Sequence, residues 1–464
     1  MFSGKFHNDR ASYTLIKSTP AFWSILGDAW FHITQAPEAD LPPRPAVWLF
    51  ADLSGFIEGP EAAEPNNLTQ IMEGVAIDPS LDHIEGTGLP LGTYGLALLS
   101  EHVVPILTNG LSTGMRVLAQ GGDPGEMHTI AGTIWRTSNL LTVLLVKSPG
   151  NHNFTVALKS GLLRAVAASA HIPDFPPLQE LLAHWADVVI PRHLLFHEVL
   201  RALGPALEDI ADVVTADAFR QSAVYEKWST FHSLAHEHLQ ILDSPFLDKT
   251  RALRACDNVE CLTIQPKALF ERCSGCSSFC YCCKACQVSD WRVGGHRNAC
   301  QSCDAEAREF HVLTRDRAFF RALMNHDYQK SKITVLQDEL VFRHTHPGEP
   351  YFLIYNYSIK GVVKIEPHLF GSNQSLSGFT WTDTVSRVAR SKGRMRLDVL
   401  VFTADADGAG WLAIPFRRNT ARVDIGLERL AIELRKNRDT WDMGYVTKVL
   451  AALALPEDLE LETH

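Results

Sequence analysis

Ten cysteines occur in the chain, and all ten fall between Cys256 and Cys303. In order they are Cys256, Cys261, Cys273, Cys276, Cys280, Cys282, Cys283, Cys286, Cys300 and Cys303, with His296 four residues before Cys300. Cysteines serving a core would be spread along the chain; thiols confined to one short polar window read as metal ligands. They sort into Cys256-x4-Cys261, Cys273-x2-Cys276, Cys282-x3-Cys286 and His296-x3-Cys300. Each short pair lets one turn of backbone present two ligands, and zinc takes four S or N ligands in a tetrahedron. Eight ligands therefore predict two zinc ions per chain. Four protein ligands per ion leave no place for water, so the zinc is structural and not catalytic. Spacing alone leaves Cys283 in competition with Cys282, because Cys283-x2-Cys286 also suits zinc. Cys280 and Cys303 are left as spare thiols. The large apolar residues of the window are Leu262, Ile264, Leu269, Phe270, Phe279, Tyr281, Val288 and Trp291. That core is too small to hold alone, and a structural zinc contributes roughly 10–16 kcal/mol to folding such a segment.

The elements around the window have an ordinary globular composition, with 46% hydrophobic and 21% charged residues. A length of 464 residues predicts two or three domains. The net charge of -10 argues against a general nucleic-acid binder, which needs surplus Lys and Arg to displace counterions. The segment Met1–Arg10 lacks the apolar core of a signal peptide, and no run reaches the ~18 apolar residues of a membrane span. The longest, Leu140 to Val146, stops at Lys147 and reads as a buried helix. An intracellular location, cytoplasm or nucleus, is the expectation; there, clustered cysteines bind metal more often than they form disulfides.

Residues 1–250 read as a mostly α-helical region. Thr19-Pro20 starts a helix whose apolar face is Phe22, Ile25, Leu26, Ala29, Trp30 and Ile33. Val104–Leu118 and Val156–Ala167 each read as helix, Gly break and second helix, a pattern resembling armadillo or HEAT-type helix pairs. A long helix is expected from Pro205 to Asp248. Residues 304–464 read as an α+β domain with an antiparallel sheet. Its helices are predicted at Ala305–Lys332, Thr382–Arg390 and Leu427–Lys436. Its strands are predicted at Ile333–Leu336, Tyr351–Tyr355, Val362–Ile365, Leu397–Phe402 and Trp411–Ile414, where β-branched and aromatic residues concentrate.

The order of ligands in the window, residues 256–300, is more specific than their number. Tyr281-Cys282-x3-Cys286-Gln287-x2-Asp290-Trp291, closing with His296-x3-Cys300, resembles the MYND-type zinc finger, and the Gly294-Gly295-His296 ending resembles a fungal subgroup of MYND proteins. The resemblance covers about 45 residues. It implies interleaved ligand sets: Cys256, Cys261, Cys282 and Cys286 on one zinc, Cys273, Cys276, His296 and Cys300 on the other. The chain departs from the family in two places. Its first pair is x4 where x2 is usual, and its Trp-to-His gap holds one residue more, which two glycines can absorb in a turn. The resemblance further implies an adaptor that binds short proline-containing peptides, often in transcriptional repression, with Ser274, Gln287 and Trp291 as contacts. An added strand beside Phe279–Tyr281 and an indole face for a proline ring are the physical means. The alternative is that Trp291 is only the finger's own small core.

Rival chemistry is thin. A SET-type methyltransferase needs a second cysteine cluster toward the C-terminus, and no cysteine follows Cys303. Gly110-x-Ser112-x-Gly114 matches a hydrolase elbow, but Pro105 interrupts the strand that elbow needs, so a helix-connecting turn is expected. His193 with His197, and His232 with His236 and nearby His238, are spaced like metal pairs but lack the Glu of a zinc protease; surface or interface histidines are expected. The loop Asp405–Gly408 lacks the closing Glu of a calcium hand and reads as a hairpin turn. Arg390, Lys392, Arg394 and Arg396 read as a solvated strand end. No catalytic residue is assigned and the chain is read as a non-enzyme; the alternative is an enzyme whose site lies unrecognised in residues 304–464.

Overall fold

The computed structural model describes residues 103–147, 151–168, 175–244, 247, 252–276, 278–300, 312–358, 363–370, 381–405, 408–436, 443–455 and 460–464. The helix read over Thr19–Ile33, and Cys303, lie outside them. The chain divides into two compact units, and the second holds the cysteine window and, apart from residues 404–408, the C-terminal sheet.

The first unit is helical among the described residues. Helix α1 (Val103–Gln120) packs on α2 (Pro124–Lys147), α3 (His152–Lys159) and α4 (Leu162–Ala168). Leu107, Leu111 and Met115 of α1 and Leu141, Leu144 and Leu145 of α2 are buried, so the Leu140–Val146 run is a core helix, as its sequence predicts. The two segments expected to match do not. Val104–Leu118 is one unbroken helix, whereas Val156–Ala167 breaks at Gly161, which sits at φ +92°. A side chain at Gly114 would run within 2.7 Å of Ile134, so that glycine allows close helix approach instead of ending a helix. Gly110-x-Ser112-x-Gly114 is therefore helix interior, neither elbow nor turn, and the Ser112 hydroxyl donates to the Thr108 carbonyl one turn back at 3.2 Å.

Next come α5 (Pro176–His184), a π-turn over Trp185–Val189, α6 (Ile190–His193), α7 (His197–Glu208), α8 (Ala211–Thr215), α9 (Asp217–Arg220) and α10 (Tyr225–Leu242). The long helix expected over Pro205–Asp248 is thus several pieces. The chain turns extended at Ala216, after the β-branched run Val213-Val214-Thr215.

In the second unit, the window supplies hairpin β1 (Leu253–Ala255) with β2 (Ile264–Pro266), hairpin β3 (Glu271–Arg272) with β4 (Cys280–Tyr281), and the helices α11 (Lys284–Arg292) and α12 (His296–Ala299). The long α13 (Thr314–Thr345) follows. Ile333–Leu336, expected as a strand, lies within it: Lys332, Val335, Leu336, Glu339 and Leu340 are buried while Ile333 and Thr334 face out, a 3.6-residue rhythm that overrides β-branched propensity. The remaining elements are β5 (Tyr351–Asn356), β6 (Lys364–Leu369), α14 (Trp381–Arg390), β7 (Met395–Asp405), β8 (Gly408–Arg418), α15 (Arg422–Lys436), α16 (Met443–Ala454) and β9 (Glu462–Thr463). The strands form one sheet in the order β6-β5-β7-β8-β9. It is mixed, not antiparallel as expected, because β5 and β7 run parallel, Leu353 opposite Asp398. That pair is possible because the chain crosses over between β6 and β7 through α14. α13, α15 and α16 share a core of Leu336, Leu340, Leu427, Leu430, Val446 and Leu450.

The basic run at 390–396 is not a solvated strand end. Arg396 is buried, gives Nη1 to Glu339 at 2.6 Å, and grips Asp398 with Nε at 2.6 Å and Nη2 at 2.8 Å. Asp398 also meets His464 Nε2 at 2.8 Å. Burial opposes that charge, but Arg396 and His464 hold the Asp398 carboxyl down at about 2. Asp327 shows the reverse balance. Burial pushes its carboxyl up to about 6 despite a 2.6 Å hydrogen bond donated by the Tyr357 hydroxyl. A folded pKa raised above the unfolded value of about 3.9 contributes stability at low pH and loses it as pH climbs through the folded value. Asp327→Asn is therefore expected to melt above wild type at about pH 8, with the gap closing near pH 3.5, in thermal unfolding followed by circular dichroism; an unchanged gap would contradict it.

Candidate metal centre

The eight spaced ligands come together in two groups. The ligand atoms of Cys256, Cys261, Cys282 and Cys286 lie within 4.8 Å of one another, and so do those of Cys273, Cys276, His296 and Cys300. Either group could hold a metal ion, and a set of thiols and imidazole suits zinc. The membership is the interleaved one.

Local structure explains how each group is presented. Cys256 directly follows β1, and Cys261 follows a tight turn in which its N–H donates to the Asn258 carbonyl at 2.9 Å. Cys282 and Cys286 flank the start of α11, with thiols 3.5 Å apart, and Cys261 comes within 3.7 Å of Cys282. Cys273 and Cys276 bracket the loop after β3, and Cys273 Sγ lies 3.9 Å from Cys300 Sγ. His296 opens α12 and turns Nε2 toward Cys276 Sγ at 3.9 Å, while its buried Nδ1 has no hydrogen-bond partner. Cys283, the competitor by spacing, is exposed at the N-cap of α11 and belongs to neither group. Cys280 is buried in β4 and also belongs to neither.

Cys256, Cys282, Cys286 and Cys300 resist ionisation where they stand, whereas Cys261, though burial opposes it, is lowered by hydrogen bonds from Thr263 and neighbouring thiols. Burial first, then the charge of neighbouring thiols, pushes Cys256 and Cys300 up to about 12, and Cys286 rises too. Cys273 goes the other way: burial opposes ionisation, but hydrogen bonds from His296, neighbouring backbone and Cys300 bring it to about 6. A divalent cation at the centre of each group favours the thiolates outright, so metal binding releases protons.

Two features hold the centres that sequence reasoning missed. Asp290, at 0% exposure, accepts the Tyr281 hydroxyl at 2.8 Å and Arg387 Nη1 of α14 at 3.0 Å. Arg387 also donates to the Gly294 carbonyl at 3.1 Å and to the Asp257 carbonyl, and lies 5.0 Å over the Phe279 ring. Arg390, one turn on, donates to the Val293 and Gly294 carbonyls. The available signal was a charged residue embedded beside a tryptophan in the ligand run and two arginines three apart on an amphipathic helix. The glycine pair does what its position predicts: a side chain at Gly294 would run into the Asp290 carboxylate, and Gly295 sits at φ +85°.

The three peptide-contact candidates are placed as follows. Ser274 is exposed beside Cys273. Gln287 is half-buried on α11, its Oε1 accepting Lys284 Nζ at 2.8 Å. Trp291 is 40% exposed and packs its ring 5.6 Å from His296, so it both supports the second centre and faces solvent. The strand edge expected at Phe279–Tyr281 is already used: Cys280 N–H donates to Asp257 Oδ2 at 2.6 Å and its carbonyl accepts Asp257 N–H at 2.9 Å. Cys273 N–H donates to the Phe279 carbonyl across the hairpin at 2.9 Å. Because hydrogen-bonded and non-hydrogen-bonded pairs alternate, the Arg272–Cys280 pair turns its backbone groups outward. Among the described residues, the β3 edge at Arg272 has no backbone partner on its outer side.

Other candidate clusters are committed to structure. Glu237, His326 and Asp327 come together, but Glu237 Oε1 takes His326 Nε2 at 2.8 Å and Lys330 Nζ at 2.6 Å. His193 stacks on Phe154 at 4.1 Å and meets Asn151 at 2.8 Å; burial brings it down to about 3. His232 and His236 are exposed and His238 is buried. No helix among the described residues is long and apolar enough to cross a membrane.

Cys282→Ser is expected to drop the metal content of the purified chain to one ion, whereas Cys283→Ser keeps both; metal quantitation beside protein concentration checks this, and equal losses would show that Cys283 is a ligand. Compared with protein-family models, with curated proteins and with solved structures, the chain has no match.

Proposed function

We propose that this chain is a non-enzymatic, zinc-dependent interaction protein whose residues 256–300 form a MYND-type finger that captures short proline-containing peptides. Two structural zinc ions per chain brace the finger, the first on Cys256, Cys261, Cys282 and Cys286 and the second on Cys273, Cys276, His296 and Cys300. Its role is that of an adaptor, with transcriptional regulation as the setting the resemblance points to.

The observation that carries the reading is Trp291. It stands 40% exposed on a helix whose opposite face is pinned by Cys286 and Asp290. An indole held that way is a rigid, largely pre-paid anchor for a proline ring. The β3 edge at Arg272, beside Ser274, offers backbone groups for an added strand. Trp291→Ala is expected to weaken capture of a proline-rich peptide by roughly 2 kcal/mol or more, the size of a hot-spot loss. Zinc content should stay at two ions. Peptide-array binding and metal quantitation on the same preparations decide it: if zinc and peptide binding vanish together, Trp291 is core and the reading fails.

A further inference from the structure

The peptide reading leaves the chemistry of the partner open, and the charges around Trp291 narrow it. On α11, positions 284, 287, 288 and 291 fall on one face at helical spacing, with Arg292 at its margin. Cys286 and Asp290 fall on the opposite face, where the first metal centre and Arg387 hold them. The outward face thus presents Lys284, Gln287, Val288 and Trp291, and of these Lys284, Val288 and Trp291 are exposed.

Its charges are all of one sign. Lys284, Arg292 and Arg297 are exposed and make no ion pair with any described residue. The one acidic residue of α11 and α12 is Asp290, buried and already paired with Arg387. Arg272, at the open β3 edge, is also exposed and unpaired, although Glu271 adjoins it. The chain as a whole carries a net charge of -10, so exposed cations on and beside the helix that presents Trp291 run against the overall balance. The same overall charge repels a polyanion such as nucleic acid over the wider surface. A short acidic segment feels the local patch far more than the distant negative charge, which salt screens beyond about 8–10 Å.

We infer that the outward face of α11 selects an acidic peptide: an apolar proline-containing core seated on Trp291 and Val288, with Asp or Glu on its flanks opposite Lys284, Arg292 and Arg297. This rests on the peptide reading and deepens it. Exposed charge pairs contribute little each, so their effect lies in selecting among peptides with the same core and in speeding encounter.

The test uses the full chain, loaded with zinc, and three fluorescent peptides that share one apolar proline-containing core and differ in Asp/Glu, Ser or Lys flanks. Binding is expected in the order acidic, neutral, basic, with the acidic peptide losing affinity as salt rises from about 50 to 300 mM. Lys284→Glu combined with Arg292→Glu should weaken the acidic peptide roughly 3- to 30-fold and reverse the order. Lys284→Gln with Arg292→Gln should flatten it. Metal content of each variant is measured, and two ions per chain show that the fold is kept. Equal binding of all three peptides, abolished by Trp291→Ala, would overturn the acidic preference and leave the peptide reading standing. No binding of any peptide overturns both. Tighter binding of a duplex DNA or single-stranded RNA probe, lost in the charge-reversed variant, would make this face a nucleic-acid surface and overturn the proposal.

Discussion

Two four-ligand groups that interleave along the chain impose the constraint on which the cysteine window depends. Cys273 and Cys276 fall between the two halves of the first group, and Cys282 and Cys286 fall between the two halves of the second. The first group ties the β1–β2 turn to α11, and the second ties the β3–β4 hairpin to α12, each across the other's ligands. The segment therefore closes as one cross-braced piece. Its apolar residues are few, and a ring cluster of Phe279, Tyr281 and Trp291 packed around His296 is most of what they build. Burial and neighbouring thiols hold Cys256 and Cys300 against ionisation, and a cation among the thiols favours the thiolates instead.

Asp290 extends the constraint beyond the window. A carboxylate with no exposure must be fully paired, and its partners are one hydroxyl from the hairpin and one guanidinium from α14. Arg387 then spends its other donors on the Gly294 and Asp257 carbonyls. The window is thereby built into its unit and is not a bead on a linker. The same pairing sets the rotation of α11, with Asp290 inward and Trp291 outward.

The sequence made the ligands legible because spacing is local: pairs three to five residues apart need no knowledge of the fold. The membership of each group came from the family resemblance, since spacing alone left Cys283 in competition with Cys282. Strands β5, β7 and β8 were readable from β-branched and aromatic runs bounded by turn residues, and α14 was read as a helix to within a residue of its bounds. Ile333–Leu336 was misread because its local composition is that of a strand, while the burial of residues 332, 335, 336, 339 and 340 comes from α15, α16 and the sheet. Arg396 was misread for a related reason. Four cations in seven residues look solvated until Glu339 and Asp398, 57 and 2 residues away, enclose one of them. Arg387 was invisible because its partner lies 97 residues off.

X-ray absorption at the zinc edge of the purified chain tests the two-centre arrangement most directly. Seven sulfurs and one nitrogen shared between two ions predict a sulfur-dominated shell near 2.3 Å with a minor nitrogen contribution near 2.0–2.1 Å, and no oxygen. A single ion per chain, or a shell containing oxygen from water, would contradict two closed structural centres.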